Sequence, residues 1–112
     1  MKLSVGIITL NEEKIIGKTL KSVEEIADEI IIVDSNSSDK TIEIAKSFGA
    51  KVFTEAWKGF GPQKNSVIDK CSGEWILLID ADEEVSRELR DKIKFTINDL
   101  KSYNVYKTNF TA

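Results

Sequence analysis

The sequence predicts an α/β fold, a mostly parallel sheet flanked by helices, and two of its features carry that prediction. Short apolar, β-branched runs recur along the 112 residues, and each gives way to a stretch whose apolar residues fall at helical spacing. Two runs, "EIIIVD" (29–34) and "EWILLID" (74–80), are apolar almost throughout, as strands covered on both faces must be. Strands alternating with helices make a parallel sheet, because parallel neighbours need a crossover between them.

The first expected strand is "KLSVGIITL" (2–10). From Asn11 the period changes, and Ile16, Leu20, Val23 and Ala27 share one helical face. Asn11 is expected to cap that helix, with Glu12 and Glu13 complementing its positive end. "EIIIVD" is the second strand and "SNSSDKT" a loop in which Ser38 caps the next helix. Thr41, Ile44, Ala45 and Phe48 form that helix's apolar stripe, and Gly49 stops it. "KVFTE" (51–55) is the third strand. "AWKGFGP" is a Gly-rich aromatic loop, and Pro62 suits the first turn of a third helix reaching about Lys70. "EWILLID" is the fourth strand. Val85, Leu89, Ile93 and Ile97 mark a fourth helix, and "SYNVYKTNFTA" alternates as a fifth strand. No repeat, low-complexity segment or linker interrupts the pattern, so a single domain over residues 1–112 is expected.

Composition removes several classes of function. A formal charge of -3 and a pI near 5.0 give nucleic acid no basic face to bind. No apolar run approaches the roughly 20 residues that span a bilayer, and "MKLSVGIITLNEE" lacks a signal-peptide pattern, so a cytoplasmic location is expected. Cys71 is the only cysteine, which leaves no intramolecular disulfide and no cysteine-rich zinc site; a packed structural thiol is the expectation. Histidine is absent. That excludes Ser-His and Cys-His nucleophiles and His-ligated metals within this chain. A metal here would need oxygen ligands, which favours Mg²⁺ or Mn²⁺.

The sequence also lacks GxGxxG after the first strand and GxxxxGK[ST] anywhere, which sets aside dinucleotide-fold dehydrogenases and P-loop enzymes. In parallel sheets ligands bind beyond the carboxyl ends of the strands. Three of those ends are polar here: Thr9 to Glu13, Asp34 to Asp39, and Asp80 to Glu84. After Trp75–Ile79 come four carboxylates in five positions, Asp80, Asp82, Glu83 and Glu84, which repel one another unless water, a cation or basic groups screen them. Asp80 and Asp82, one residue apart, can face one side of the sheet edge and hold a divalent cation with diphosphate oxygens. The plainer reading is a polar turn in which Glu83 and Glu84 serve the next helix's dipole. Asp34 could accept from a base N–H or a ribose hydroxyl, or could simply form a turn. Lys64, beside Asn65 early in the third helix, could meet a phosphate or remain a solvated lysine. Trp57 and Phe60 could line a sugar or acceptor pocket, or anchor their loop to the core.

Taken together, "ITLNEE", "IIIVDSNSSDKT", "QKN" and "SGEWILLIDADEEVS" resemble the inverting family 2 glycosyltransferases of the GT-A fold. Those proteins carry T-x-N-E after strand one, V-D-x-x-S-x-D-x-T after strand two and D-x-D after strand four. The resemblance runs over about residues 2–86. The stretch "WKGFGPQKNSVID" looks most like the lipopolysaccharide inner-core β-glucosyltransferase branch. The resemblance implies a Rossmann-like nucleotide-diphospho-sugar transferase fold, with Thr9, Leu10, Asn11 and Glu12 bordering the nucleotide and Asp34 meeting uracil or ribose. Lys64 would lie near the base or diphosphate. Asp80 would contact the ribose or a metal-bound water, its neighbour Ala81 would border the nucleotide-sugar, and Asp82 would bind Mg²⁺ or Mn²⁺ bridging the diphosphate. Leu10 stands where many relatives have Tyr, so stacking on the base from that side is lost or supplied elsewhere.

Family members are usually more than twice this length, and their catalytic base lies beyond the D-x-D motif. It is therefore expected beyond Ala112, and the fold is expected to be incomplete: a donor-binding half. The implied reaction is hexose transfer with inversion and metal assistance, UDP-glucose being the expected donor. The acceptor would be a saccharide or lipid-linked saccharide such as lipopolysaccharide core. The last strand's Val105, Tyr106 and Phe110 would be covered by a missing C-terminal half or in a homodimer. For a full-length protein the resemblance allows peripheral association with the inner face of the cytoplasmic membrane. A non-catalytic nucleotide-sugar-binding or regulatory module is the alternative. A response-regulator-like phosphoacceptor would need a lone aspartate after strand three, where the chain reads "FTEAW".

Overall fold

The computed structural model describes residues 2–99 and 108–111. The elements alternate as expected: β1 (Leu3–Thr9), α1 (Ile16–Val23), β2 (Glu29–Asp34), α2 (Thr41–Ser47) and β3 (Lys51–Thr54), then α3 (Phe60–Lys70), β4 (Trp75–Asp80), α4 (Arg87–Asp99) and β5 (Thr108–Thr111). The sheet order is β3-β2-β1-β4-β5, and each neighbouring pair is parallel. Strand order therefore reverses between β1 and β4. Such a reversal leaves a crevice outside the carboxyl ends of the two strands, because the helices that follow them diverge.

Period-2 alternation along the strands divides the core. Leu3, Val5, Ile7, Ile30, Ile32, Trp75, Leu77 and Ile79 pack with Ile16, Leu20 and Val23 of α1, Ala45 of α2 and Ile93 of α4. On the opposite face Ile31, Val33 and Ile76 meet Val67 and the buried Cys71. This second layer depends on Gly6. A Cβ there would overlap Val67 Cγ1 and lie 3.0 Å from Leu78 Cδ2, so α3 reaches the sheet only across a residue without a side chain.

The ends of the sheet are pinned differently. At the amino edge, Glu29 accepts from Ser4 Oγ (2.6 Å), the Ser72 amide (2.8 Å) and Lys51 Nζ (3.2 Å). Burial by itself would raise this carboxyl, yet those three donors hold it below the usual glutamate range.

Two expected caps are corrected. Helix α1 begins only at Ile16, and Asn11, at φ 52°, does not cap it. Ser38 does not cap α2: its amide donates to Asn11 Oδ1 (2.8 Å), while Asp39 Oδ1 accepts from the Thr41 amide at 2.9 Å. Each of the two residues bonds to the other's loop instead of capping its own helix. Val85 precedes α4 rather than opening it, and its amide donates to Ser22 Oγ (2.9 Å). Gly49, at φ 81°, follows α2 as its expected stop, in the left-handed region that glycine enters without strain. Phe110 falls in β5, paired in register with Leu77; Val105 and Tyr106 lie outside the described residues.

Candidate functional site

Two loops build one side of the crevice, and the sequence motifs bolt them together. After β1, the Asn11 amide donates to Ser37 Oγ (2.8 Å) and the Glu12 amide to Thr41 Oγ1 (2.7 Å). The Glu13 amide donates to Asp39 Oδ2 (3.1 Å). In return the Ser38 amide donates to Asn11 and the Lys40 amide to Glu13 Oε2 (3.3 Å). The spaced Ser37, Asp39 and Thr41 are thus scaffolding. They satisfy backbone N–H groups of the neighbouring loop that would otherwise lack partners. From the sequence, Thr41 was expected in the apolar stripe of the second helix, and Ser37 and Asp39 had no role of their own.

Asp34 closes the same seam from beneath. It is fully buried, its Oδ1 accepting from Thr9 Oγ1 and Ser37 Oγ, each at 2.6 Å, and its Oδ2 from the Ser37 amide at 2.7 Å. Thr9 is itself buried. Each of Asp34's three bonds is spent inside the protein.

A cleft of about 610 Å³ opens over this seam, lined by Thr9, Leu10, Glu12, Ser35, Trp57, Phe60, Asp80, Ala81 and Asp82, with Ile8 and Ile15. Asp80 ends β4, and residues 81–82 form a turn rather than a continuation of the strand. The turn, not strand alternation, brings both aspartates to the cleft. The Asp80 amide donates to Glu83 Oε1 (2.7 Å) and the Glu83 amide to the Asp80 carbonyl (3.0 Å), a reciprocal lock. Between the acids Ala81 is buried, its carbonyl accepting from Thr19 Oγ1 of α1. Asp80 and Asp82 themselves are exposed. Among the described residues neither carboxylate accepts a hydrogen bond or forms an ion pair.

The cleft is consequently electronegative. Glu12 is raised above the usual glutamate range by partial burial, and further by the charges of Asp82 and Asp39. Among the described residues no three His, Cys, Asp or Glu side chains are grouped to hold an ion by themselves. Asp80 and Asp82 suit a hard divalent ion of the kind bound through one or two carboxylates and completed by substrate phosphates.

Lys64 does not line this cleft. It borders a neighbouring hollow of about 290 Å³ on the α3 side of β1 and β4, with Gly6, Ile8, Leu78, Asp80 and Glu83. Asp80 borders both cavities. The preceding Gln63, to which sequence reading gave no role, is fully buried. Its Oε1 accepts from the Lys58 amide and its Nε2 donates to Ser35 Oγ, both at 3.1 Å. It ties the aromatic loop to the end of β2.

Comparison with known proteins agrees with this geometry. Residues 4–106 match the family model described as "Glycosyl transferase family 2". A protein of Rickettsia bellii described as an uncharacterized glycosyltransferase is 51% identical over 94 residues, covering 84% of this chain and 32% of the relative. The lipopolysaccharide core biosynthesis glycosyltransferase LpsC of Rhizobium meliloti is 40% identical over 96 residues, covering 81% of this chain and 35% of the relative. The chain thus spans about a third of the length of these relatives. Among solved structures, Mycobacterium tuberculosis glucosyl-3-phosphoglycerate synthase, in complex with Mn²⁺, UDP and glucosyl-3-phosphoglycerate, superposes with a TM-score of 0.64. It is 26% identical, and the match covers 74% of this chain and 35% of that one. With the parallel sheet, the crevice at its strand reversal and the ordered motifs, these matches place the chain in glycosyl transferase family 2.

Proposed function

We propose that this chain is the donor-binding part of a glycosyltransferase that moves a hexose from a nucleotide-sugar, UDP-glucose foremost, to a saccharide acceptor with inversion. The observation that carries the reading is the pair of exposed carboxylates, Asp80 and Asp82, that line the cleft at the strand-order reversal. Carboxylates so placed repel a bare diphosphate, so the site calls for Mg²⁺ or Mn²⁺ to enter with it. Asp80 and Asp82 would hold such an ion, which would supply charge neutralisation to the diphosphate. The chain's own residues do the rest of the binding. Thr9 to Glu12 form the rim against which the nucleoside lies, and Asp34 keeps that rim rigid. Lys64, next to Asp80 in the adjoining hollow, is positioned to approach a phosphate from the other side of β1.

The likeness to LpsC supports a lipopolysaccharide-core acceptor, and the synthase solved with Mn²⁺ and UDP supports a UDP-linked donor and a divalent ion. The general base belongs to sequence beyond this stretch, as the relatives' threefold greater length suggests. Location at the inner face of the cytoplasmic membrane belongs to the same reading. This chain by itself is expected to bind donor and to transfer little or no sugar.

Calorimetric titration of UDP-glucose in Mn²⁺, then in EDTA, beside Asp82→Ala, tests the reading. Binding that needs the ion and is lost in the variant supports it. Equal binding with and without the ion, or none, refutes it.

A further inference from the structure

One helix grips the acidic turn after β4 at both ends. Thr19 and Ser22 stand one turn apart on the buried face of α1. Thr19 Oγ1 donates to the Ala81 carbonyl, between the two aspartates of the cleft, in preference to the Ile15 carbonyl of its own helix at 3.4 Å. Ser22 Oγ accepts from the Val85 amide (2.9 Å), and its own proton goes to the Thr19 carbonyl (2.7 Å). Ala81 and Val85 are both buried, so each hydroxyl satisfies a backbone group that lies away from water. Arg90 Nη1 donates to the Ser22 carbonyl (3.1 Å), which ties α4 to the same point. Asp82, Glu83 and Glu84 fall between the two fastenings.

The charges on the turn give this grip its use. Like charges so close push the turn open, and an ion arriving at an opened turn would first have to draw the aspartates together. Fastening the turn to a buried helix face orders it during folding, before any ion arrives. Neither Thr19 nor Ser22 lines the cleft, so both act through the turn. We propose that Thr19, supported by Ser22, is a positioning residue that sets the ion affinity of the Asp80 and Asp82 pair from outside the cleft; this rests on the nucleotide-sugar reading above. A pin of the same make lies at the opposite edge of the sheet. There the fully buried Ser4 donates to Glu29 Oε2 (2.6 Å) and accepts from the Gly73 amide (2.8 Å), with no residue of the cleft attached.

Titration of Mn²⁺ in the presence of equimolar UDP tests it, with the free ion read by paramagnetic resonance against a protein-free UDP blank. The wild-type chain is compared with Thr19→Val, Thr19→Ser, Ser22→Ala, Ser4→Ala and Asp82→Ala. Thr19→Val keeps the shape and loses the hydroxyl, and should weaken Mn²⁺ by about tenfold or more. Thr19→Ser should restore most of the loss. Ser22→Ala should weaken Mn²⁺ in the same direction, and it carries the comparison if Thr19→Val does not fold. Ser4→Ala should lower stability in urea and leave Mn²⁺ affinity unchanged. Wild-type affinity in both Thr19→Val and Ser22→Ala, or an equal loss in Ser4→Ala, would overturn the inference. The donor reading would survive either result as long as Asp82→Ala loses the ion. Mn²⁺ that the wild-type chain does not bind, or that Asp82→Ala binds equally well, would refute both.

Discussion

Thr9 Oγ1 donates to Asp34 Oδ1 at 2.6 Å, joining the carboxyl ends of β1 and β2 directly beneath the cleft. Neither residue reaches solvent to any extent, so the bond sets the shape of the rim rather than contacting water. Asp34→Ala would strand the Thr9 hydroxyl and the Ser37 amide in a dry seam, a loss of about 3 kcal/mol of stability. Urea unfolding should register that loss. UDP affinity should fall with it, because the Asn11 and Ser37 contacts are braced by the same carboxylate. An alanine variant as stable as wild type would mean that the seam does not depend on Asp34.

Close approach of α3 to the sheet yields a second expectation. Gly6→Ala would drive a methyl group into Val67 and against Leu78, and overpacking of that kind costs about 1–3 kcal/mol. Gly61→Ala makes the control, since nothing lies within 4 Å of its Cβ and alanine favours a helix. Thermal unfolding should show a clear drop for the first and none for the second. Equal melting temperatures would mean that α3 shifts without cost.

Acid should loosen the aromatic loop. Hydrogen bonds from Lys58, Lys70 and Ser66 hold Glu55 down to about 2, from an ordinary 4.5. A group depressed in the folded state stabilises above its unfolded value and loses that contribution as the pH falls through its folded one. The contribution of Glu55 is therefore complete above about pH 4.5 and fades toward pH 2. Trp57 fluorescence followed from pH 6 to 2 should change over that window, and Glu55→Gln should already show the acid-loosened signal at pH 6. An identical acid transition in the glutamine variant would assign the change to other carboxylates, Glu29 first among them.

Much of this was legible from the residues alone. The runs at Leu3–Thr9, Glu29–Asp34 and Trp75–Asp80 are apolar because both faces of those strands are covered, and burial of that kind writes itself into composition. Asp80 and Asp82 were legible for the converse reason: unscreened acids at the end of a buried strand have few structural uses. The caps were not. Asn11 and Ser38 carry the right chemistry for local capping, but they are paired with each other's loop across 27 positions, a contact that no local pattern encodes. Gln63 escaped for a similar reason, since its two partners lie on different elements. Lys64, expected beside the base or diphosphate, borders the adjoining hollow that it shares with Asp80, a placement that depends on how α3 seats on the sheet.

Paramagnetic broadening tests the placement of the donor most directly. Mn²⁺ added with UDP to the ¹⁵N-labelled chain should broaden the amides of residues 10–12 and 80–83, and should leave Ser72 and Gly73, at the opposite edge of the sheet, unaffected. Asp82→Ala should abolish the effect. Broadening centred away from Asp80 and Asp82, or surviving unchanged in the variant, would contradict a donor site at the carboxyl ends of β1 and β4.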